Sequence, residues 1–329
     1  MVVFKYMTLL RTTEPSQIAF EEMAKIADIS YTFAERGRVR DYVTRLSGYM
    51  QDPYPRDEIV SAQWLLGDWD PEIIRKSCQL LDPMQALITV VTQELPKDVS
   101  FTFDQSEKIY GTEYHQERLS QEFLEEAKTG KPIPELFLPG PNEFIPENLD
   151  VNKVEVDEPA IRPELLRDTE ISRLWYKQDD RFFLPRSVVY VELFSPILNV
   201  TPRNAVMARL LSDLFTDSNN EDTYDAELAD LSFGMYYQAD SFTIAISGFT
   251  DKLPLLLEKM VTKFLKFELD PERFKRIVDR NMLMWRNFAM SDPYHVAHFY
   301  HSYVMTPNVW THEERIEEAE RELDKTWRN

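Results

Sequence analysis

Among the dipeptides in which a short polar residue precedes proline, four open an apolar helical pattern and so mark helix starts: Asp70-Pro71, Thr201-Pro202, Asp270-Pro271 and Asp292-Pro293. An aspartate or threonine before a helix accepts N–H groups that the first turn leaves free. Proline at the next position has no N–H to lose, and its fixed φ already suits the helix. Behind Thr201-Pro202 come Val206, Leu210, Leu211 and Leu214, and behind Asp270-Pro271 come Phe274, Ile277, Val278, Trp285 and Phe288. Between those two starts, Leu253, Leu256, Leu257, Met260, Phe264 and Phe267 are spaced for one face of a further helix. Residues 187–194 read as a strand, 233–239 and 242–248 as paired strands, and 225–231 as a short helix. Strands with helices packed after them imply an α+β fold, a largely antiparallel sheet covered by helices on one face.

The first part of the chain reads differently. Residues 1–82 carry helical stripes: Val3, Met7 and Leu10; then Ile18, Phe20, Met23, Ile26 and Ala27; then Tyr42, Val43, Leu46 and Tyr49. Pro53 and Pro55 break the pattern, and residues 59–66 resume it. Residues 86–92, Ala-Leu-Ile-Thr-Val-Val-Thr, are apolar and β-branched on both faces and predict an interior strand. Residues 95–112 suggest one irregular strand, and 116–127 a helix. From Gly130 to Pro163 prolines recur without apolar repeats, which predicts a tether laid over the surface. One interior strand with at best one neighbour is an incomplete sheet, so self-association is expected of it.

A chain of 329 residues can hold two domains with cores of their own. A formal charge of -20 argues against nucleic acid as a partner, because polyphosphate would be repelled. The single cysteine, Cys78, allows no internal disulfide and fits a reducing compartment. No apolar run is long enough to span a bilayer, and residues 1–10 lack a secretory pattern, so a cytoplasmic location is the expectation and a membrane partner is not.

Residues 174–186, Leu-Trp-Tyr-Lys-Gln-Asp-Asp-Arg-Phe-Phe-Leu-Pro-Arg, read as an aromatic strand, a polar loop and a return into the strand that follows. Asp179 and Asp180 form a carboxylate pair of the kind that can do acid–base work, but a turn explains them without it. The five histidines include one cluster, His295, His298 and His301. Steps of three residues rotate around a helix, and no Asp, Glu or Cys lies between them, so no metal ligand is assigned. Phosphate loops and nucleophile elbows are absent from the sequence, and no catalytic residue is assigned. Arg36-Gly37-Arg38-Val39-Arg40 is the only dense basic run. Arg38 and Arg40 are the anion-binding candidates, since guanidinium holds carboxylate or phosphate bidentately. The alternative is a solvated run paired with Glu35 and Asp41.

Residues 174–186 resemble the opening of the third domain of insulysins, the insulin-degrading enzymes of the M16 inverzincin metallopeptidases. Pro141-Asn142-Glu143-Phe144-Ile145-Pro146 resembles that family's connector between the second and third domains. Tyr110-Gly111-Thr112-Glu113-Tyr114 and Ala226-Glu227-Leu228-Ala229-Asp230-Leu231-Ser232 resemble segments before and after it. The resemblance implies two M16-type domains: residues 1–137 as the later part of the second, 138–163 as the connector, and 164–329 as most of the third. It implies the middle segment of a zinc metalloendopeptidase that degrades short peptides inside a chamber. The alternative is a free-standing, catalytically inactive homologue that binds peptides or pairs with an active M16 subunit. The family's zinc motif, His-x-x-Glu-His, does not occur in this sequence, so zinc is expected in the missing first domain and no cofactor here. The start inside an apolar helical pattern and the end just after the charged residues 312–324 suggest a fragment, with the catalytic first domain and a C-terminal domain as the implied partners. The arginines of 36–40 match a stretch that the family links to polyanion binding.

Overall fold

The computed structural model describes residues 1–35, 37–92, 102–129 and 133–326. Two compact units are present, Met1–Ala24 with Leu66–Pro141, and Lys25–Leu65 with Asn142–Asn329.

In the first unit, helix α1 (Val2–Thr12) packs against α4 (Pro71–Gln79) and α5 (Gln121–Thr129), and the same unit holds a short hairpin, β1 (Gln105–Ser106) and β2 (Glu113–Tyr114). Two further helices lie between α1 and α4 in sequence, α2 (Gln17–Thr32), which contributes to both units, and α3 (Val39–Tyr49). Asp70 caps α4 as its sequence predicts, accepting from the N–H groups of Glu72 at 2.9 Å and Ile73 at 3.2 Å. Phe4 meets Phe123 edge-on at 5.7 Å, and Phe20 tilts against Trp69 at 5.2 Å. The hairpin turns at Gly111, whose φ of +68° suits glycine, while Glu107 accepts from the Ile109 and Tyr110 N–H groups.

Three expectations for this region are corrected. Residues 86–92 join no strand ladder among the described residues, and Leu87, Val90 and Val91 stand 86%, 79% and 93% exposed. A β-branched run becomes a strand only where another strand answers its N–H and C=O groups. Of the irregular 95–112 stretch, residues 95–101 lie outside the described residues, and the remainder is β1 and its turn. Residues 59–66 form successive turns rather than helix; Leu65 and Leu66 are exposed, so no packing extends the turns into a helix.

The second unit is built on an antiparallel sheet in the order β5 (Arg186–Phe194), β7 (Ser241–Phe249), β6 (Ser232–Tyr237). The central strand β7 is buried along most of its length, with Ile244 and Ile246 almost inaccessible. Helix α6 (Pro202–Ser218) starts at Thr201, whose hydroxyl accepts from the Asn204 N–H at 3.1 Å. It is apolar on two sides. Ala208, Leu211 and Phe215 pack into the sheet core with Leu256 and Met260 of α8 (Leu253–Leu265). Val206, Leu210 and Leu214 meet Phe274, Ile277, Val278 and Trp285 of α9 (Pro271–Asn287) and Ala319 of α11 (His312–Thr326). A helix buried on both sides is the shared wall of two apolar clusters. Asp270 caps α9 through the Glu272 and Arg273 N–H groups, whereas Asp292 opens α10 (Pro293–Met305) without a side-chain cap bond.

The short helix expected at 225–231 is α7 (Asn220–Leu228). It ends in a Schellman motif: the Leu231 N–H donates to the Ala226 carbonyl at 2.9 Å and the Asp230 N–H to Glu227 at 3.0 Å, with Asp230 at φ +62°. The aromatic strand β4 (Arg173–Tyr176) pairs with β3 (Glu164–Asp168), an element the sequence pattern does not reveal, through a turn at Thr169–Ser172. The proline-rich tether is also corrected in part. Phe144 and Ile145 are buried in the sheet core, Asn142 donates to the Asp225 carbonyl at 2.7 Å, and Lys259 lies 4.9 Å from the Phe144 ring. Two adjacent apolar residues suffice to pin a segment that has no periodicity.

Candidate functional site

Arg38 stands at the start of α3 in extended conformation, and Arg40 lies in its first turn. Arg36 is outside the described residues. Arg38 and Arg40 are exposed, and neither side chain has a hydrogen-bond or ion-pair partner among the described residues, Glu35 and Asp41 included. Positive side chains at the positive end of a helix oppose its dipole, and an anion there would relieve that opposition.

Asp179 and Asp180 are committed to the loop. The Asp179 carboxylate accepts from the N–H groups of Arg181 and Phe182, both at 3.0 Å, and of Leu184 at 3.3 Å. Burial alone would raise its pKa, but these backbone donors outweigh burial and hold it below the usual carboxylate range. Asp180 accepts from Lys177 at 3.0 Å and from the Ala160 N–H at 2.7 Å, and is likewise lowered. These contacts organise the chain between β4 and β5.

Among the described residues the histidines do not assemble the ligand set that a zinc ion needs. His295, His298 and His301 are exposed on α10, and His295 lies against the Tyr294 ring. His115 has its Nδ1 3.0 Å from Asp104. Among the described residues no three of His, Cys, Asp and Glu are grouped as metal ligands.

A cavity of about 890 Å³ lies in the second unit, between α6, β6, α9 and α11. Arg209, Arg280 and Arg315 line it with Tyr237 and His312, and no carboxylate does. Arg209 pairs with Asp213 at 3.0 Å, and Arg280 approaches Asp217 at 3.7 Å. The Arg315 guanidinium has no ion-pair or hydrogen-bond partner among the described residues; the backbone N–H donates to the Thr311 carbonyl at 3.2 Å. Burial foremost, and then Arg209, holds its guanidinium below its ordinary range, though it stays protonated at neutral pH. The Tyr237 hydroxyl donates to Asn199 Oδ1 at 2.8 Å, and burial raises its pKa, so it remains neutral. His312 packs in a three-ring cluster with Phe288 at 4.1 Å and Phe299 at 4.6 Å, with both ring nitrogens buried and unpartnered. Burial, and next Arg315, holds this imidazole below the ordinary histidine range. Sequence reasoning missed this constellation. Its one signal is that Arg315, Ala319 and Glu322 share a helix face on which Ala319 is buried, and Glu322 there is held by Arg203 at 2.8 Å.

The model of the middle or third domain of peptidase M16 matches residues 31–318. The chain belongs to the M16 peptidase family. This M16 chain is 33% identical over 312 residues to the insulin-degrading enzyme of Homo sapiens, an alignment covering 95% of the chain and 30% of that relative. It is 27% identical to the A-factor-processing enzyme of Saccharomyces cerevisiae over 97% of the chain and 31% of that relative. The crystal structure of pitrilysin shares its fold, with a TM-score of 0.70 at 18% identity over 98% of this chain and 34% of that one. The M16 segment therefore spans about a third of the length of these proteins, and it is an insulysin-like middle segment.

Proposed function

We propose that this chain is the non-catalytic middle segment of an insulysin-like zinc metalloendopeptidase acting on short peptides, and that it forms part of the wall enclosing them. The carrying observation is the match of residues 31–318 to the M16 middle domain in a chain without His-x-x-Glu-His. Zinc in the whole enzyme would activate water for peptide hydrolysis. No step of that hydrolysis is assigned to residues of this chain. Asp179 and Asp180 are engaged in loop structure, and the exposed histidines of α10 lack a carboxylate ligand. The purified chain should not cleave a fluorogenic peptide in a chelator-sensitive way. Turnover that copurifies with the chain at constant specific activity and is lost on chelation would refute the reading.

The second part of the proposal is that Arg38 and Arg40 bind polyanions. Both side chains are unpaired at the start of α3, in a chain whose charge of -20 otherwise repels anions. Triphosphate should bind weakly and less well as salt rises, because exposed charges are screened within about 10 Å at 0.1 M. Calorimetry on the Arg38→Ala, Arg40→Ala double variant should show that binding lost. Unchanged affinity would move the site elsewhere.

A further inference from the structure

The arginine-lined cavity of the second unit is unlike the rest of this acidic molecule. Its lining carries three guanidinium groups and no carboxylate. Two of the three are already answered, Arg209 by Asp213 and Arg280 by Asp217. That leaves Arg315, partly removed from water, with no direct ion pair and only the longer-range attraction of Glu314, which lies outside the lining. A desolvated charge without a partner is costly, and proteins ordinarily supply one. Tyr237 does not, because its hydroxyl is neutral and spent on Asn199. His312 does not either, because it is an uncharged ring with both nitrogens unpartnered. A buried polar group without a hydrogen bond calls for its own explanation.

The remaining walls decide what else the site would accept. Leu283, Met284, Trp285, Phe288 and Phe299 supply an apolar and largely aromatic surface. The volume lies within the range of about 300–1,000 Å³ typical of small-molecule sites, which combine apolar walls with a few convergent polar groups. We propose that this cavity binds a monoanionic carboxylate carried on an apolar or aromatic body, with the carboxylate on Arg315 and the body against the Phe288 and Phe299 side. One guanidinium without a direct ion pair matches one carboxylate better than a phosphate dianion. The planar guanidinium fork meets both carboxylate oxygens, and His312 can offer a ring N–H to the same group. Two sources share this chemistry, the free C-terminus of a peptide ending in an apolar residue and a free aliphatic or aryl carboxylic acid.

The test is calorimetry on the full chain with octanoate, octanamide, the peptide Ala-Phe with free and amidated C-terminus, and inorganic phosphate. At least one of the two free acids should bind, and its neutral amide should bind about tenfold weaker or worse, the loss expected for a charge-assisted hydrogen bond. Octanoate alone would identify free acids as the source; Ala-Phe alone would identify peptide termini. Arg315→Met should remove the preference for the acid over the amide. Because that substitution touches a packed helix, Met284→Trp provides an independent check. It fills the cavity from a half-exposed position, leaves Arg315 in place, and should abolish binding of the acid at an unchanged thermal midpoint. Failure of both acids to bind at millimolar concentration overturns the proposal. So does undiminished binding to the Met284→Trp chain, or inorganic phosphate binding as well as the acids.

Discussion

Gly248 shows how one residue can set the geometry of a whole corner of the molecule. Its φ is +135°, and a Cβ built on it would stand 2.5 Å from the Asp230 carbonyl oxygen and 2.8 Å from the Leu231 Cα. Asp230 is itself the left-handed residue that ends α7, and its carboxylate pairs with Arg186 at the start of β5. Helix end and strand end thus meet where only a glycine fits. Gly111 is also at positive φ, but nothing lies within 4 Å of its would-be Cβ. Alanine at position 111 should therefore cost about 1 kcal/mol of stability from backbone strain alone. Alanine at 248 should cost roughly 3 kcal/mol or more, because backbone atoms cannot move aside as side-chain tips can. Urea midpoints of the two variants check this, and equal shifts would disprove the role given to the close approach. Neither glycine could be ranked from sequence, since the decisive neighbour of Gly248 lies at Asp230–Leu231. Arg315 and His312 were illegible for the same reason. Their meaning comes from α6, α9 and β6 closing around them, whereas Arg38 and Arg40 stood out as a local run of charge.

At the scale of elements, legibility followed whether the cause was local. The starts of α4, α6 and α9 could be read because the capping aspartate or threonine and the proline sit within three residues of the N–H groups they serve. The apolar face of α8 could be read because Leu253, Leu256 and Met260 are spaced by the helix itself. What depended on distant partners was misread. Residues 86–92 have the composition of a strand without a described partner, and β3, with Arg167 and Asp168 among its five residues, has the partner without the composition. Phe144 and Ile145 read as tether, although their burial beneath Lys259 is what anchors the segment. The α+β class survived these errors because it rests on β5, β6, β7 and the helices after them, each with a strong period of its own.

At the scale of the whole molecule, the two units differ in how much apolar surface they remove from water. Among the described residues the buried hydrophobic side chains outside proline fall almost wholly in the second unit, with Ala127 the exception in the first. The second unit holds two clusters that share α6, and each fully buried Leu, Ile or Phe contributes about 1.5–3 kcal/mol. The first unit relies instead on ring pairs, caps and solvent-screened ion pairs such as Arg75 with Glu14, which stabilise far less than buried apolar surface does. Its helices should consequently open at lower denaturant than the sheet unit, and unfolding of the chain should depart from a single two-state transition. Hydrogen exchange resolves the order directly. Amides of α1 and α4 should exchange faster than those of β7, and residues 86–92, which carry no ladder bonds among the described residues, should exchange fastest. Protection of α4 equal to that of β7 at every denaturant concentration would mean that the first unit is stabilised as strongly as the second, and that burial does not rank the two.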